Sequence, residues 1–239
     1  MIFSYSRLNT YERCNYRFYR KYILKEEEQP TLPLSLGKAT HKAIESLVKG
    51  ANEHEAITEG IIEVDFFPGV TYDEVAFLAR RANVQPHMGQ TEVHFTLPLS
   101  DEKNAPLVQG YIDLLQVHAA SITDWKTNRS PYDVLGTYQM GLYCWAMSKI
   151  YGTPYFRGTL FFLRYRKSST HLFTSAEMDR ARLWALQLAK EINTKITVHD
   201  MLPEKAADIF PASPSGDCKH CSFAVGCMKE FSVKTLKEG

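Results

Sequence analysis

Asp113, Asp124 and Lys126 stand in two short segments near the middle of a 239-residue chain, Gly110-Tyr111-Ile112-Asp113 and Asp124-Trp125-Lys126. Carboxylate oxygens suit hard cations such as Mg²⁺ or Mn²⁺, which keep several waters and bind through one or two carboxylates plus substrate phosphates. A lysine beside them can orient or deprotonate an attacking water while the metal stabilises charge on phosphorus. The chemistry this pattern suits is metal-dependent hydrolysis of a phosphodiester. A strand rises about 3.3 Å per residue and alternates its faces, so Asp124 and Lys126 project the same way, roughly 7 Å apart, with Trp125 opposite. Leu107 to Val117 reads as a second strand, and His118 to Ser121 as the turn that brings it back into Ile122-Thr123-Asp124. If that turn pairs an odd residue with an even one, Asp113 joins Asp124 and Lys126 on one face. The competing reading is two solvent-facing strand residues, although aspartate is depleted in strand interiors.

The elements that must position this trio are legible in outline. From Leu36 to Val48 the apolar residues recur at helical spacing, and His41 shares a face with Ile44 and Val48 near the start of that helix, within reach of a metal. Ser130 as cap and Pro131 in the first turn predict a later helix with Leu135, Gln139, Leu142, Tyr143, Ala146 and Ile150 down one stripe. Gln139 and Tyr143, one turn apart, face inward or along a cleft edge; on spacing alone they read as packing. Further strands are expected near Thr91 to Pro98 and Thr159 to Tyr165, and Thr174-x-x-Glu177 reads as a capping box opening a helix with Met178, Ala181, Ala185, Leu188 and Ile192 as its core stripe. Glu92 falls opposite Val93, Phe95 and Leu97 by alternation, towards the acidic cleft. Residues 52–90 contain a helix near Asp73 to Val84 and suit a lid over that cleft. The fold class expected is α/β, a mixed central sheet flanked by helices.

Cysteines supply a second signal. Cys14 precedes the acidic segments, and Cys218-x-x-Cys221-x5-Cys227 follows them. The short separation lets two thiolates grip one centre, and a remote Cys14 completes a four-sulfur set that ties the two ends together. Zn²⁺ and a [4Fe-4S] cluster fit such a set equally well, and disulfides are the other option. Cys144, between Tyr143 and Trp145, suits an inert buried thiol.

Gly-x-x-Asp followed by Asp-x-Lys resembles the metal-binding core of the PD-(D/E)xK nuclease superfamily. Gly37-Lys38-Ala39-Thr40-His41 resembles the Gly-x-x-x-His motif of its RecB-like branch, and Gln139-Met140-Gly141-Leu142-Tyr143 the Gln-x-x-x-Tyr motif of the same branch. The superfamily's proline has no counterpart, since Gly110 and Tyr111 occupy that region. The resemblance implies His41, Asp113 and Asp124 as metal ligands with the Trp125 carbonyl, Lys126 as the catalytic lysine, and Gln139 and Tyr143 as substrate-positioning residues. It also implies a restriction-endonuclease-like sheet with its core at about residues 34–165, inside a single nuclease domain spanning 1–239. One subgroup, which includes the AddB nuclease subunit and the CRISPR-associated adaptation nucleases, has one Cys ahead of the core and three behind it. It opens with a segment similar to Ser6–Phe18, although Asn15 replaces a frequent proline. That likeness turns the choice for Cys14, Cys218, Cys221 and Cys227 towards a structural [4Fe-4S] cluster.

A net charge of +1 excludes a large basic footprint, and 44% hydrophobic content allows one substantial core. Locally, Arg7, Arg13, Arg17, Arg20, Lys21 and Lys25 interleave with Tyr5, Tyr11, Tyr16, Phe18, Tyr19 and Tyr22, a mixture that suits a single nucleic-acid strand or, equally, an amphipathic helix. A second basic group, Arg157, Arg164, Arg166 and Lys167, is a weaker signal. No apolar run is long enough for a membrane and nothing resembles a secretory signal, so a reducing cytoplasm is the expected setting. The function expected is a Mg²⁺- or Mn²⁺-dependent exonuclease on single-stranded DNA ends. CRISPR spacer acquisition or recombination and repair are the contexts, with integration proteins or a helicase as partners. A non-catalytic nucleic-acid-binding or scaffolding subunit is the alternative class, and a zinc-stabilised nuclease changes only the cofactor.

Overall fold

The computed structural model of the protein describes residues 1–235, with side chains to residue 231. Its frame is a six-stranded mixed sheet of β1 (Phe3–Ser4), β2 (Gln90–Pro98), β3 (Leu107–Gln116), β4 (Ser121–Lys126), β5 (Tyr155–Phe162) and β6 (Lys167–Thr174). A turn of 3-10 helix at Val117–Ala119 and a left-handed Ala120 return β3 into β4. The pairs Leu114↔Thr123, Leu115↔Ile122 and Gln116↔Ser121 join odd to even residues, the register that sets Asp113 across from Asp124. β4 then runs parallel to β5, and β5 antiparallel to β6.

β3 is the strand on which the site depends. β2 lies along one of its edges from Leu107 to Leu115. The other edge is shared, β1 pairing at Val108 and Gln109 and β4 from Leu114 onwards. Gly110 to Asp113 lie between these two partners, and there the sheet forks. Across β3, Glu92 takes φ +51°, a left-handed conformation rare inside a strand, and the pairing of β2 with β3 skips Glu92 and Asp113. The alternation of β3 slips by one at this point: Val108, Ile112 and then Leu115 enter one core, while Leu114 enters the other. Glu92 still falls opposite Val93, Phe95 and Leu97, which pack on the first core, and faces Asp113 and His41 as alternation predicts.

Helices cover both faces. On one, α1 (Tyr5–Arg13), α2 (Asn15–Phe18), α6 (Gln139–Tyr151) and α7 (Ser175–Met201) enclose a core that includes Leu8, Tyr11, Phe18, Met140, Leu142, Met178 and Ile192. On the other, α3 (Leu32–Val48), α4 (Glu53–Glu63) and α5 (Tyr72–Ala79) surround Leu36, Ile44, Ile57, Val75, Leu78 and Trp125. The last elements among the described residues are α8 (Ala206–Ile209) and α9 (Ala224–Thr235). Segment 52–90 is thus no lid: its apolar residues close the second core. A Cβ on Gly60 would stand 2.3 Å from the Ala39 carbonyl oxygen, so the close approach of α4 to α3 requires glycine there.

Several boundaries depart from the sequence expectations. α3 starts at Leu32 with Pro33 in its first turn, which puts His41 mid-helix and not near its start. Ser130 and Pro131 do not open α6; Asp133 caps a single 3-10 turn at Val134–Gly136, extended Thr137 breaks it, and the helix begins at Gln139. Leu135 and Ile150, assigned to the buried stripe, are 55% and 47% exposed, whereas all of Met140–Met147 is buried, as befits a helix enclosed between sheet and α7. The strand expected to reach Tyr165 ends at Phe162 in another 3-10 turn, and α4 opens on a capping box, Asn52 with Glu55, that sequence reading passed over. The capping box at Thr174 and Glu177 forms as expected, with Ala189 in the buried stripe and Leu188 only part-buried.

Candidate active site

Asp113 and Asp124 meet in the fork between β3 and β4. With the ladder open here, the Trp125 amide donates instead to Asp113 Oδ2 at 2.8 Å, so this carboxylate closes the gap that it occupies. His41, reaching across from α3, sets Nδ1 3.3 Å from the same oxygen. Asp124 is 4% exposed and accepts at Oδ1 from Gln139 Nε2 at 2.9 Å. Its Oδ2 lies 2.6 Å from Lys126 Nζ, yet it is fully buried without any well-directed hydrogen bond. Lys126 Nζ donates to Gln139 Oε1 at 3.0 Å. Gln139, the first residue of α6, therefore fixes acid and lysine together with one amide.

Burial and charge set the protonation states. Burial would raise the Asp113 carboxyl, but His41, Lys126 and the Trp125 amide together offset this and hold it below its ordinary range. Asp124 is pushed up, first by burial and then by Asp113, against the pull of Lys126. Burial opposes the charged form of His41, and Asp113 overcomes it, raising the imidazole to about 9. Lys126 is likewise held well above the usual lysine range: Asp124 outweighs the cost of burying the ammonium. Two acids that repel each other in a buried fork form a donor set that a dication would satisfy.

The remaining predicted residues take varied places. Tyr143 is 9% exposed, packed edge-on against Phe95 with ring centroids 5.7 Å apart, and its hydroxyl hydrogen-bonds Gln139; burial raises its pKa. A Cβ on Gly110 would come 2.7 Å from the Phe95 ring and 3.0 Å from Tyr143, so the glycine of the Gly-x-x-Asp segment makes room for the aromatic support beneath the site. The Trp125 indole enters the second core, and its amide, rather than its carbonyl, makes the defined contact in the fork. Glu92 has Asp113 as its principal charge neighbour, and its pKa is raised first by desolvation and then by that acid. Tyr132, which sequence reasoning passed over, hydrogen-bonds Lys126 and packs edge-on against Phe162 at 5.2 Å. An aromatic just beyond Asp-x-Lys was the available signal.

At the other end of the molecule, Cys14, Cys218 and Cys221 line one small cleft with Arg13, Arg17 and Asp217. The amides of Ser213 and Ser215 point at Cys14 Sγ (3.5 Å) and Cys218 Sγ (3.3 Å). Cys227, on α9, is raised by burial and then by the other three cysteines, so all four lie within electrostatic reach of one another. All are free thiols, and Cys144 is fully buried with its pKa raised by that burial. Among the described residues, no group of three or more His, Cys, Asp or Glu side chains is disposed to hold a metal ion, at this cleft or at the fork. The N-terminal basic and aromatic residues mostly serve packing: Tyr11, Tyr16 and Phe18 are buried, Arg17 and Lys21 pair with Glu28, and Arg20 pairs with Glu26. Arg164 is likewise engaged, by the Thr127 carbonyl and Glu74.

No helix among the described residues is long and apolar enough to cross a membrane. No curated protein matches the chain. A solved structure described as "Crystal structure of SSO0001" aligns over 86% of this chain and 89% of that one at 12% identity, with a TM-score of 0.36, a likeness too slight to carry any argument. The family model of the PD-(D/E)XK nuclease superfamily, whose members are typically nucleases dependent on Mg²⁺ or Mn²⁺, matches residues 2–228. With its acids and lysine gathered in the fork of a mixed sheet, the chain belongs to the PD-(D/E)XK nuclease superfamily.

Proposed function

We propose that the protein is a Mg²⁺- or Mn²⁺-dependent deoxyribonuclease of the RecB-like branch, acting as an exonuclease on single-stranded DNA ends. The observation that carries this reading is the joining of Asp113, Asp124 and Lys126 through Trp125 and Gln139 in one buried fork. His41, Asp113 and Asp124 would hold the ion, with the Trp125 carbonyl as a further ligand. When bound, it supplies Lewis acidity towards the phosphoryl oxygen and lowers the pKa of a bound water.

The chain's own groups do the rest. Lys126 Nζ, 2.6 Å from Asp124 and bonded to Gln139, orients the attacking water and meets charge building on the phosphate. Gln139 and Tyr132 hold that ammonium in place, and Tyr143 buttresses Gln139 from below. His41 locks Asp113 in its ionised state. Gln139 and Tyr143 thus bear on the substrate through the orientation of Lys126.

At the other end, Cys14, Cys218, Cys221 and Cys227 would hold a structural [4Fe-4S] cluster that clamps the termini of a single nuclease domain spanning 1–239. Four soft sulfur donors from segments remote in sequence, with two backbone amides aimed at sulfurs, support this choice. Four free thiols kept available as ligands suit a reducing compartment, which supports a cytoplasmic setting. CRISPR spacer acquisition alongside integration proteins, or recombination and repair alongside a helicase, are the settings that supply such ends. In the test, purified protein with Mn²⁺ degrades end-labelled single strands, and Asp113→Ala, Asp124→Ala and Lys126→Ala each abolish this with the fold intact. Cleavage surviving all three removes the site. Anaerobically prepared protein should carry about four iron and four sulfide per chain; colourless protein with stoichiometric zinc replaces the cluster.

A further inference from the structure

We propose that the cleft between α1, α6 and α7 is a base-stacking subsite, which holds the nucleobase next to the cleaved phosphate of a single strand. The inference rests on the nuclease reading and specifies the form of its substrate. The cleft has a volume of about 450 Å³, within the range of small-ligand sites. Its floor is aromatic: Tyr138 and Trp184 stack with centroids 5.0 Å apart and planes at 23°, and Tyr5 leans on Trp184 at 5.8 Å. Trp125 and Trp145 are 2% and 5% exposed, whereas Tyr138 is 39% exposed and Trp184 remains partly open. An open aromatic shelf is what base stacking uses, and it tolerates sequence because every base has a π-face.

Position ties the cleft to the chemistry. Tyr138 immediately precedes Gln139, the amide that holds Asp124 and Lys126. Tyr5 hydrogen-bonds Thr137 and feels the charge of Lys126. The cleft therefore opens beside the start of α6, within electrostatic reach of the lysine. Its acids are already engaged, Glu12 by the Trp184 indole N–H at 2.8 Å and Glu177 by Thr174 and His171. Arg180, exposed at the rim and without an ion pair among the described residues, is left to meet a phosphate. A duplex keeps its bases inside the stack and cannot present one to this shelf.

The test uses the full chain carrying Lys126→Ala, which stops turnover, titrated with a dT oligomer or a duplex of equal length while tryptophan emission is followed. The single strand is expected to quench emission and the duplex to leave it unchanged, since Trp184 is the only tryptophan among the described residues that is open to a base. Adding Trp184→Leu or Tyr138→Leu should weaken binding of a fluorescein-labelled dT oligomer, read by the anisotropy of its label, about tenfold or more, and Trp184→Phe should retain it. If Trp184→Leu fails to fold, Arg180→Ala is read instead, with an expected loss of about one unit from the slope of log affinity against log salt. Unchanged affinity in these variants, or equal quenching by duplex, overturns the subsite. Wild-type cleavage in Mn²⁺ is scored separately. Cleavage with no effect of the aromatic substitutions sinks the subsite alone; quenching by single strands with no cleavage sinks the nuclease reading, and with it the subsite's place beside a cleaved phosphate, leaving only a single-strand-binding cleft.

Discussion

The fork and the cysteine end are built on opposite principles. In the fork, acids and lysine sit on adjoining strands, their positions set by a backbone ladder and by two side-chain to amide contacts, Asp113 with Trp125 and Asp124 with Gln139. The cysteines join segments from opposite ends of the sequence; Cys14 and Cys227 pack against the first core, and Cys218 is exposed. A site preorganised by its scaffold survives the loss of its ligand, whereas a junction made by the ligand does not. The fork is therefore expected to govern rate and the cysteines to govern stability.

The largest effect that would break this contrast lies in the fork. Asp124→Ala or Lys126→Ala should lower the cleavage rate by about 10³-fold, the order seen when a preorganised charge partner is removed, with a melting temperature close to wild type. A fall of many degrees in either would mean that the fork is also a structural junction. Next in size, Cys14→Ser should lower the melting temperature by about 10 °C, at roughly 2–4 °C per kcal/mol for a domain of this size. Scanning calorimetry under anaerobic conditions reads this directly. If stability holds and cleavage vanishes, the division of labour is reversed.

Gly110→Ala sharpens the fork's side. A Cβ there meets the Phe95 ring at 2.7 Å and Tyr143 at 3.0 Å, so overpacking should cost about 1–3 kcal/mol. Displacement of Tyr143 should loosen Gln139 and reduce the rate more than the stability loss alone explains, as seen by comparing urea midpoints with turnover. The smallest effect is a control remote from both regions. Glu177 is held at about 2 by the Thr174 amide and hydroxyl, with His171 beside it. Its folded pKa is depressed, so its contribution is present above the ordinary glutamate range and is lost as pH falls from there towards 2. Glu177→Gln should cost about 1 kcal/mol at pH 7 and little near pH 2, read by urea denaturation at each pH. A loss that persists at low pH would assign the effect to packing.

Much of the fork was readable from the residues because its logic is local. Alternation placed Asp124 with Lys126, and a short turn limited the register that brings Asp113 across from Asp124. The capping box at Thr174 and Glu177 was equally local. The start of α6 was misread because Ser130-Pro131 carries a valid helix signal that Asp133 and extended Thr137 override. His41 proved to be mid-helix since Pro33 permits an earlier start. Segment 52–90 looked like an insertion because its apolar residues have partners only on α3 and on the sheet, far from it in sequence.

The sequence by itself determined the chemistry available to this protein: which residues are acids, cation or thiols, and, through the period of a strand, which of them share a face. Tertiary structure alone decided how those groups are held. The left-handed bend at Glu92, the fork between β1 and β4, the amide of Gln139 on both Asp124 and Lys126, and the hydroxyl of Tyr132 on that lysine all depend on contacts between distant segments. Side-chain periodicity is a property of a single strand or helix and can be read along the chain. Burial, and with it the charge state of every group in the fork, exists only once the two cores have closed around it.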